Sequence, residues 1–569
     1  MERVEHRLTT RSFVVGYILA LVMCAVNSYL TLSFGIMEEG PAIAALFFFA
    51  MFVRSAKKIT TSEMVIVATM GSAGGSLGFI SNFFAAQAMI AAKTGATPYT
   101  IWDMTIFATV TSIIGLISVI LLRQILIIKD AELPEDERLP WVGAKAVKGM
   151  IDPLLEHSAG SLQPRYLVVF LSVAILYVIF NSSGVGWFPE VGMITLGGLS
   201  AYSAGIAFSP FVWGGAYLMG FRTCVGFLVG GIALLIMAPY LPRPAAPHTY
   251  VWPGVMFLTT AGLTALAVNW RVIGSAIASL FDVKGGHDDD PIMSKRTMLA
   301  FTVGGVLLTT GFMYFNFKLG LTIIVTMMVV GGLLLNLIAT RVAAQTYFNP
   351  ARVMGILLMG INALVGASNV NQSLTGAGFV AGSGAQGGNL TNDMAYGFWY
   401  RVKSSWQFWT QTSTVLGCAL VAAVAFSLIN ANFVLSLDAE GGLAAPVAKI
   451  WAIMGLLFDP ESAINLPPFA VESMWIGGIA GVVWALLESR SKIRRFLPSS
   501  IGFGLALILP VFYDFGFFAG GVMMFYVLGR YLKVKEVSLN TLAIACIVGE
   551  GIGGILQAGL KIVGLLPNG

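Results

Sequence analysis

Long apolar runs separated by short charged connections form the main pattern of this chain. Segments of membrane-spanning length recur from residue 13 to the C-terminal end, and Lys and Arg collect between them. About 20 apolar residues suffice for a helix to cross the hydrocarbon core, where the backbone must satisfy its own hydrogen bonds. The pattern predicts an all-α polytopic membrane protein with about 16 transmembrane helices.

Two glycine-rich polar stretches interrupt the apolar pattern. The longer one runs from Gly382 to Asp393 and contains a carboxylate, and a weaker copy runs from Met70 to Asn82. Charge and irregular backbone at membrane depth are tolerated only where protein or water covers them. Interrupted segments in corresponding places of two halves are typical of a transporter's binding site. We therefore expect broken or re-entrant helices at 70–82 and 382–393.

The order of features restarts near the middle of the chain. Tyr29–Gly35 can be aligned with Tyr314–Gly320, and Arg54 then corresponds to Arg341. Each match is weak alone, but their shared order indicates a duplication. The predicted organisation is an N-terminal tail, a first membrane repeat, an inter-repeat loop and a second membrane repeat, at 1–12, 13–281, 282–296 and 297–569.

Basic residues predict the orientation. Arg3, Arg7 and Arg11 precede the first span, which favours a cytoplasmic N-terminus in a plasma (inner) membrane. The segment 444–458 leaves two alternatives open. If it crosses the membrane, there are about 17 spans and the basic loop Arg490–Arg495 is cytoplasmic. If it lies on the interface, as its first-half counterpart should, about 16 spans remain, and repeat symmetry favours this count.

The composition agrees with a membrane protein and excludes several other classes. Hydrophobic residues make up 57% of the chain and charged residues 11%, and the net charge of +5 arises in short loops, so nucleic-acid binding is not indicated. The four cysteines lie inside apolar runs without CxxC spacing, and the four histidines are scattered, so we expect no metal site and no cofactor. No Walker motif is present, which disfavours an ATP-driven pump.

Several motifs occur in a fixed order over more than 500 residues. They are Asn27–Tyr29 with Gly35, Glu63 with Ser72–Ser76, Leu133–Glu135, Ser209–Arg222, Asn392–Phe398 and Gly549–Gly554. In this order they resemble the oligopeptide transporter superfamily, which includes the yellow-stripe-like metal–chelate transporters. The chain looks like a divergent member of prokaryotic type, because Ala395 and Tyr396 stand where the family has lysine and threonine.

The resemblance implies secondary active transport, namely proton-coupled uptake of short peptides or of peptide-like metal chelates. Its partners would be substrate, protons and the lipid bilayer, and a homo-oligomer is possible. Two other classes stay open. An intramembrane enzyme is opposed by the scattered histidines, and a membrane subunit that has lost transport is kept open by the missing lysine.

Two acids inside apolar runs, Asp393 and Glu550, are the predicted proton-coupling residues, since an intramembrane acid is functional by default. A carboxylate at an aqueous cavity can take up and release a proton as the cavity changes sides. Alternatively, Asp393 caps the start of a broken helix, and Glu550 forms a buried pair with an arginine such as Arg222. We expect Arg222 to pair with an intramembrane acid or with carbonyls at a helix end.

Polar residues of the two interruptions, together with two tyrosines, form the predicted substrate-binding set. The set is Ser72, Ser76, Asn82, Gln386, Asn389, Asn392, Tyr29 and Tyr314. Amides suit peptide groups or chelate carboxylates, but they could equally cap interrupted helices. The serines could serve close helix packing, and membrane tyrosines are more often packing or interface residues.

Overall fold

A computed structural model describes most of the chain. The described residues are 8–34, 40–52, 58–134, 138–155, 163–181, 184–194, 203–237, 251–268, 290–346, 349–432, 435, 445–459, 469–562 and 564–566. Most of the predicted tail 1–12 and of the predicted loop 282–296 therefore lies outside them.

Helices dominate the described residues, as the sequence predicts. The first group is α1 (Thr10–Phe34), α2 (Pro41–Phe52), α3 (Thr61–Gly78), α4 (Ser81–Thr94), α5 (Ile101–Arg123), α6 (Lys129–Ala131), α7 (Val142–Leu155), α8 (Gln163–Phe180), α9 (Pro210–Met219), α10 (Phe221–Met237) and α11 (Val251–Val268). The second group is α12 (Lys295–Phe315), α13 (Leu321–Thr326), α14 (Asn336–Thr346), α15 (Ala351–Val365), α16 (Val370–Trp399), α17 (Ser404–Asn432), α18 (Pro446–Leu457), α19 (Ala470–Glu488), α20 (Ser491–Arg494), α21 (Ser500–Ala506), α22 (Val511–Gly521) and α23 (Glu536–Ile562).

Two other kinds of element accompany these helices. Short strands β1 (Val191–Met193) and β2 (Gly205–Ala207) pair antiparallel between α8 and α9. Within the described ranges, three π-helical segments continue α5, join α13 to α14 and continue α22, at Gln124–Ile128, Met327–Leu335 and Val522–Tyr531.

Eight helical stretches of the described residues have the length and apolar composition to cross a membrane. They are Thr10–Tyr29, Thr61–Thr94, Ile101–Ala131, Lys295–Phe315, Leu321–Thr346, Ser404–Ala431, Val471–Glu488 and Val511–Tyr531. Shorter apolar helices accompany them. An all-α polytopic fold is thereby confirmed, whereas the choice between 16 and 17 spans stays a prediction.

The helices form two compact units, and each unit draws on both halves of the sequence. Unit 1 comprises Met1–Leu139, Gly274–Ala343 and Asn349–Asn465. Unit 2 comprises Pro140–Ile273, Ala344–Phe348 and Leu466–Gly569. The units therefore do not follow the predicted division at 282–296, and the repeat relation between the halves remains a prediction.

Close contact between α1 and α3 depends on glycines, which have no side chain to separate the two backbones. A Cβ added at Gly74 would overlap the backbone carbonyl of Ala20, and one added at Gly78 would lie 2.6 Å from Cβ of Asn27. Small residues let membrane helices approach until their backbones touch, which strengthens dispersion contacts. The Ser72–Ser76 motif therefore serves close packing in addition to any polar role.

The start of α3 is fixed by a capping box and an ion pair. Thr60 and Glu63 cap each other reciprocally, with the Thr60 Oγ1 accepting from the Glu63 backbone N–H. The Glu63 carboxylate also accepts from Arg11 Nε of α1 at 2.6 Å. Because this acid satisfies both an orphan helix donor and a guanidinium, it holds the ends of α1 and α3 together.

The predicted breaks have different outcomes. In the first half, α3 ends at Gly78 and α4 begins at Ser81, so the predicted interruption lies at Phe79–Ile80. In the second half the prediction is wrong, because residues 382–393 lie inside the continuous helix α16. Glycine costs about 1 kcal/mol relative to alanine in a helix, but close packing of neighbouring helices offsets this cost.

Arg222, at the start of α10 in unit 2, has the partners that the sequence led us to expect. Its Nη2 donates to Glu488 Oε1 at 2.6 Å, and its Nε donates to the carbonyl of Leu497 at 2.9 Å. Glu488 ends α19, so the guanidinium joins an acid at a helix end to a carbonyl in the connection between α20 and α21. The alternative that Arg222 pairs with Glu550 is wrong, because Glu550 bonds elsewhere, as described below.

Removing one member of this pair should destabilise unit 2. Arg222 and Glu488 keep 34% and 20% of their side chains exposed, so the loss should fall between surface and buried pairs, about 1–3 kcal/mol. Arg222→Met and Glu488→Gln should each lower the apparent Tm in detergent. A double-mutant cycle checks the coupling: if the two losses are additive, the ion pair contributes nothing.

Candidate functional site

Helix α16 is the central polar helix of unit 1. Every residue from Ser373 to Gly397 is buried, although many of them are glycine or polar. The helix packs against α3, α5, α15 and α17. Because Gln386, Asn389 and Asp393 are spaced by three and four residues, they lie on one face, which we call the first face of α16.

The first face bonds directly to the glycine-rich part of α3. Asn389 Nδ2 donates to Ser76 Oγ at 2.6 Å, and Gln386 Nε2 donates to the carbonyl of Ala73 at 3.1 Å. Ser76 Oγ in turn donates to the carbonyl of Ser72 at 2.8 Å. The predicted approach of the Ser72–Asn82 segment to the Gly382–Asp393 segment is therefore observed, although they belong to different halves of the sequence.

Helix α17 completes this polar cluster with two glutamines that the sequence analysis missed. Gln411 Nε2 donates to Gln386 Oε1 at 2.6 Å. Gln407 Nε2 donates to the main-chain carbonyl of Asp393 at 2.9 Å and to Thr69 Oγ1 of α3 at 3.0 Å. The available signal was two glutamines one helical turn apart near the start of a helical segment of membrane-spanning length.

Asp393 lies deep in the cluster. Its side chain is fully buried, and it sits more than six turns after the start of α16, since a turn takes about 3.6 residues. The alternative that it caps the start of a broken helix is therefore wrong, because no helix begins there. An ionisable side chain buried within a membrane-spanning bundle is by default a candidate functional residue.

Other predicted binding residues lie at varying distance from this cluster. Asn82, just after the break, donates from Nδ2 to Thr31 Oγ1 of α1 at 2.6 Å and to the carbonyl of Phe79 at 3.0 Å. Tyr29 is buried in the same part of α1. Tyr314 does not join them: it is 47% exposed near the end of α12, with its ring against Phe315.

Several buried polar atoms of the cluster have no hydrogen-bond partner among the described residues. They include Ser72 Oγ, Ser383 Oγ, Asn392 Nδ2, Gln407 Oε1 and Gln411 Oε1. An unsatisfied buried polar group costs about 1–3 kcal/mol. Such a concentration of these groups on and around one helix indicates a place where water or a polar ligand binds.

Glu550 of α23 is engaged in unit 2. Its carboxylate accepts from Ser209 Oγ at 2.8 and 2.7 Å and from the Phe211 backbone N–H at 2.8 Å. Ser209 is the N-cap of α9, whose next residue is Pro210. The carboxylate therefore binds the positive end of α9, where an acid is electrostatically favourable.

Asp514 of α22 is a further intramembrane acid of unit 2, and the sequence analysis missed it. It is fully buried, and neither carboxylate oxygen has a hydrogen-bond partner in the part of the chain that the structure describes. A Cβ built at Gly231 of α10 would lie 3.1 Å from Asp514 Oδ2, so the two helices meet closely there. The signal was the one used for Asp393 and Glu550, an acid inside an apolar run.

The helices and the buried cluster define a multi-pass membrane protein whose interior contains amides, hydroxyls and carboxyl groups. Within the described residues, no group of three His, Cys, Asp or Glu side chains could hold a metal ion.

The comparisons with known proteins identify the family. A family model described as OPT oligopeptide transporter protein matches residues 7–251 and 287–561. The chain therefore belongs to the oligopeptide transporter family, as its motifs predicted. Because the members of this family are membrane transporters, the chain is a membrane transporter. No match was found among the curated proteins with which the sequence was compared.

Proposed function

We propose that this protein is a secondary active transporter that couples the uptake of short peptides, or of peptide-like metal chelates, to proton entry. The observation that carries the proposal is the fully buried carboxylate of Asp393 on the first face of α16, the face that also carries the amides of Gln386 and Asn389. Neutral amides complement peptide groups, and a carboxylate can gain and lose a proton. Transport of the peptide can thereby depend on transport of the proton.

The energetic requirement is modest. A proton moving down a gradient of one pH unit releases about 1.4 kcal/mol, enough for roughly tenfold accumulation of a co-transported solute. A membrane potential of about 100 mV adds about 2.3 kcal/mol per charge. One titrating carboxylate in the transport path is therefore sufficient to drive concentrative uptake.

The predicted residues have distinct roles in this proposal. Ser72, Ser76, Asn82, Gln386, Asn389, Asn392 and Tyr29 contribute to substrate binding. The bonds that Gln386 and Asn389 make to α3 would exchange for bonds to substrate as the helices part. Tyr314 contributes only if its exposed surface meets substrate on entry. Asp393 is the principal proton carrier, with Glu550 and the newly found Asp514 as further acids in unit 2.

The membrane that contains the protein and the orientation of the protein in it are part of the same proposal. We place the protein in a plasma (inner) membrane with a cytoplasmic N-terminus, on the basis of Arg3, Arg7 and Arg11. Positive residues collect in cytoplasmic loops, so uptake would run from the outside towards this side. A homo-oligomer is compatible with the proposal and not required by it.

Uptake into proteoliposomes tests the proposal. Purified protein in liposomes should accumulate labelled di- and tripeptides, or their metal chelates, when an acid-outside pH gradient is imposed. Collapsing the gradient with a protonophore should reduce uptake to equilibration. If neither peptides nor chelates accumulate with either a pH gradient or a membrane potential, the protein is not a proton-coupled transporter of these solutes, and a membrane subunit without transport would be the better interpretation.

A further inference from the structure

Helices α21 and α22 of unit 2 form a hairpin against α10. A Cβ built at Gly226 of α10 would lie 2.7 Å from the carbonyl oxygen of Ser499, the N-cap of α21. One built at Gly230, a turn farther along α10, would lie 2.7 Å from the carbonyl oxygen of Phe503. Residue numbers therefore increase together along the two helices, so α21 runs parallel to α10.

Helix α22 returns in the opposite direction. The ring of Phe227 stacks on that of Phe517 with 4.5 Å between centroids, and the ring of Phe221 lies 4.9 Å from that of Tyr526. The turn between α21 and α22 packs on Leu234, toward the other end of α10. The connection that precedes α21 and the connection that follows α22 consequently lie at the same end of unit 2, beside the start of α10.

Both connections are basic. Residues 489–497 contain four Lys or Arg and no acid, and residues 530–536 contain three Lys or Arg and one acid. Four of these side chains are exposed, and we call them the basic face: Arg490, Arg495, Lys533 and Lys535. None of the four forms a salt bridge with an acid among the described residues. The hairpin thus gathers positive charge from two separate connections at one end of unit 2.

Each connection also exposes an aromatic ring beside its basic residues. Phe496 is 90% exposed directly after Arg495, and Tyr531 is 82% exposed directly after Arg530. Both rings lie at the ends of helices, because α19 and the π-helical continuation of α22 end stretches that are able to cross a membrane. Aromatic rings at the ends of such helices are typical of the boundary between lipid headgroups and hydrocarbon.

We propose that the basic face is a docking surface for the anionic headgroups of the surrounding bilayer. Its four cations attract lipid phosphates, and Phe496 and Tyr531 extend into the adjoining apolar layer. Basic clusters next to membrane-crossing helices are typical of proteins that bind anionic lipid. A nucleic acid complements the charge but not the position, because a bilayer surface already meets the ends of these helices. The proposal does not depend on which solute the protein transports.

Bound lipid should support the hairpin. Both ends of the hairpin lie at the basic face, so one layer of anionic headgroups contacts the chain before α21 and the chain after α22. Headgroups that bind the folded arrangement and not the unfolded chain raise the stability of the folded protein. Adding anionic lipid to the purified protein should therefore raise its apparent Tm, and a neutral lipid should raise it less.

Equilibrium binding of short-chain lipids tests the docking surface. Dioctanoyl phosphatidylglycerol should bind the purified full-length protein in a neutral detergent, and dioctanoyl phosphatidylcholine, whose headgroup has no net charge, should bind more weakly. Arg490→Gln combined with Arg495→Gln should weaken phosphatidylglycerol binding about five- to 25-fold, since each basic residue at an anionic surface contributes about fivefold. Lys533→Gln combined with Lys535→Gln should act similarly. Raising the salt concentration should weaken binding, because exposed charges are screened.

A matched pair of lysines controls for the loss of charge alone. Lys93 and Lys318 of unit 1 are exposed, and neither has another Lys or Arg within ten residues along the chain. Lys93→Gln combined with Lys318→Gln removes the same charge and should leave lipid binding within about twofold of the unaltered protein. Phe496→Ser should weaken phosphatidylglycerol binding, and inorganic phosphate should not displace the lipid, because phosphate lacks the apolar chains that the rings contact.

Four outcomes overturn the docking surface. The first is equal binding of the two lipids, and the second is unchanged binding by both basic-face double variants when they are folded. The third is displacement of the lipid by inorganic phosphate at a matching concentration, which would make the face a site for a soluble anion. The fourth is equal weakening by the control pair, which would show a nonspecific effect of net charge.

Discussion

Asp393→Asn is expected to abolish proton-driven accumulation of peptide while leaving expression, and peptide exchange between the two sides, largely intact. Asparagine keeps the shape of the side chain and most of its hydrogen-bonding capacity, but it cannot titrate. Without titration, substrate movement is no longer tied to proton movement, so uptake should stop at equilibration. Counterflow exchange and gradient-driven uptake, measured on the same proteoliposomes, distinguish these two activities.

Two further variants calibrate this result. Asp393→Ala should impair both coupling and binding, because it also removes polar atoms from the first face of α16. Asp103→Asn is the matched control: Asp103 accepts from the Thr100 backbone N–H at 3.0 Å and helps to cap α5, so it should not alter coupling. If Asp393→Asn accumulates substrate at the normal rate, Asp393 is not the proton carrier, and Glu550 or Asp514 becomes the better candidate.

Asp514→Val is expected to raise the thermal stability of the protein and at the same time reduce gradient-driven uptake. A fully buried carboxyl group with no hydrogen-bond partner among the described residues costs about 1–3 kcal/mol, and valine removes this cost with a side chain of similar size. Retention of so unfavourable a group is typical of a functional position. Apparent Tm in detergent and uptake in proteoliposomes should therefore change in opposite directions.

Asp514→Asn separates titration from polarity. It keeps two polar atoms in the same place, so its Tm should stay near that of the unaltered protein while coupled uptake falls. If Asp514→Val raises the Tm and both variants keep normal uptake, Asp514 is a tolerated structural acid. Lowered stability in both variants would show instead that the carboxyl group has a stabilising partner.

The sequence was sufficient for the fold class and for one of the two interruptions. Apolar run length determines whether a helix can cross a membrane, and this is a local property. The prediction of the second interruption was wrong for a physical reason. Gly382–Asp393 has a composition typical of loops, but α16 is buried on all sides there. Helices packed against glycine supply contacts that a sequence pattern does not reveal, and these contacts keep the backbone helical.

The candidate site was predicted in part. The pairing of the Ser76 region with the Asn389 region followed from two glycine-rich polar stretches in a shared order. Gln407 and Gln411 were missed because their spacing alone is a weak signal, and only the tertiary structure provides the side chains and carbonyls that lie opposite them. Asp514 was missed for a different reason, since the criterion applied to Asp393 would have identified it.

Because each unit contains residues from both halves of the chain, part of each unit is synthesised well before the residues that it packs against. Ser76 and Asn389 are 313 residues apart, so at about 5–20 residues per second α3 waits about 15–60 s for its partner on α16. During that interval the polar groups of α3 that later bond to α16 face lipid or the insertion machinery. The nascent first half therefore presents a polar helix surface on which chaperones and quality-control proteases can act before the second half arrives to cover it.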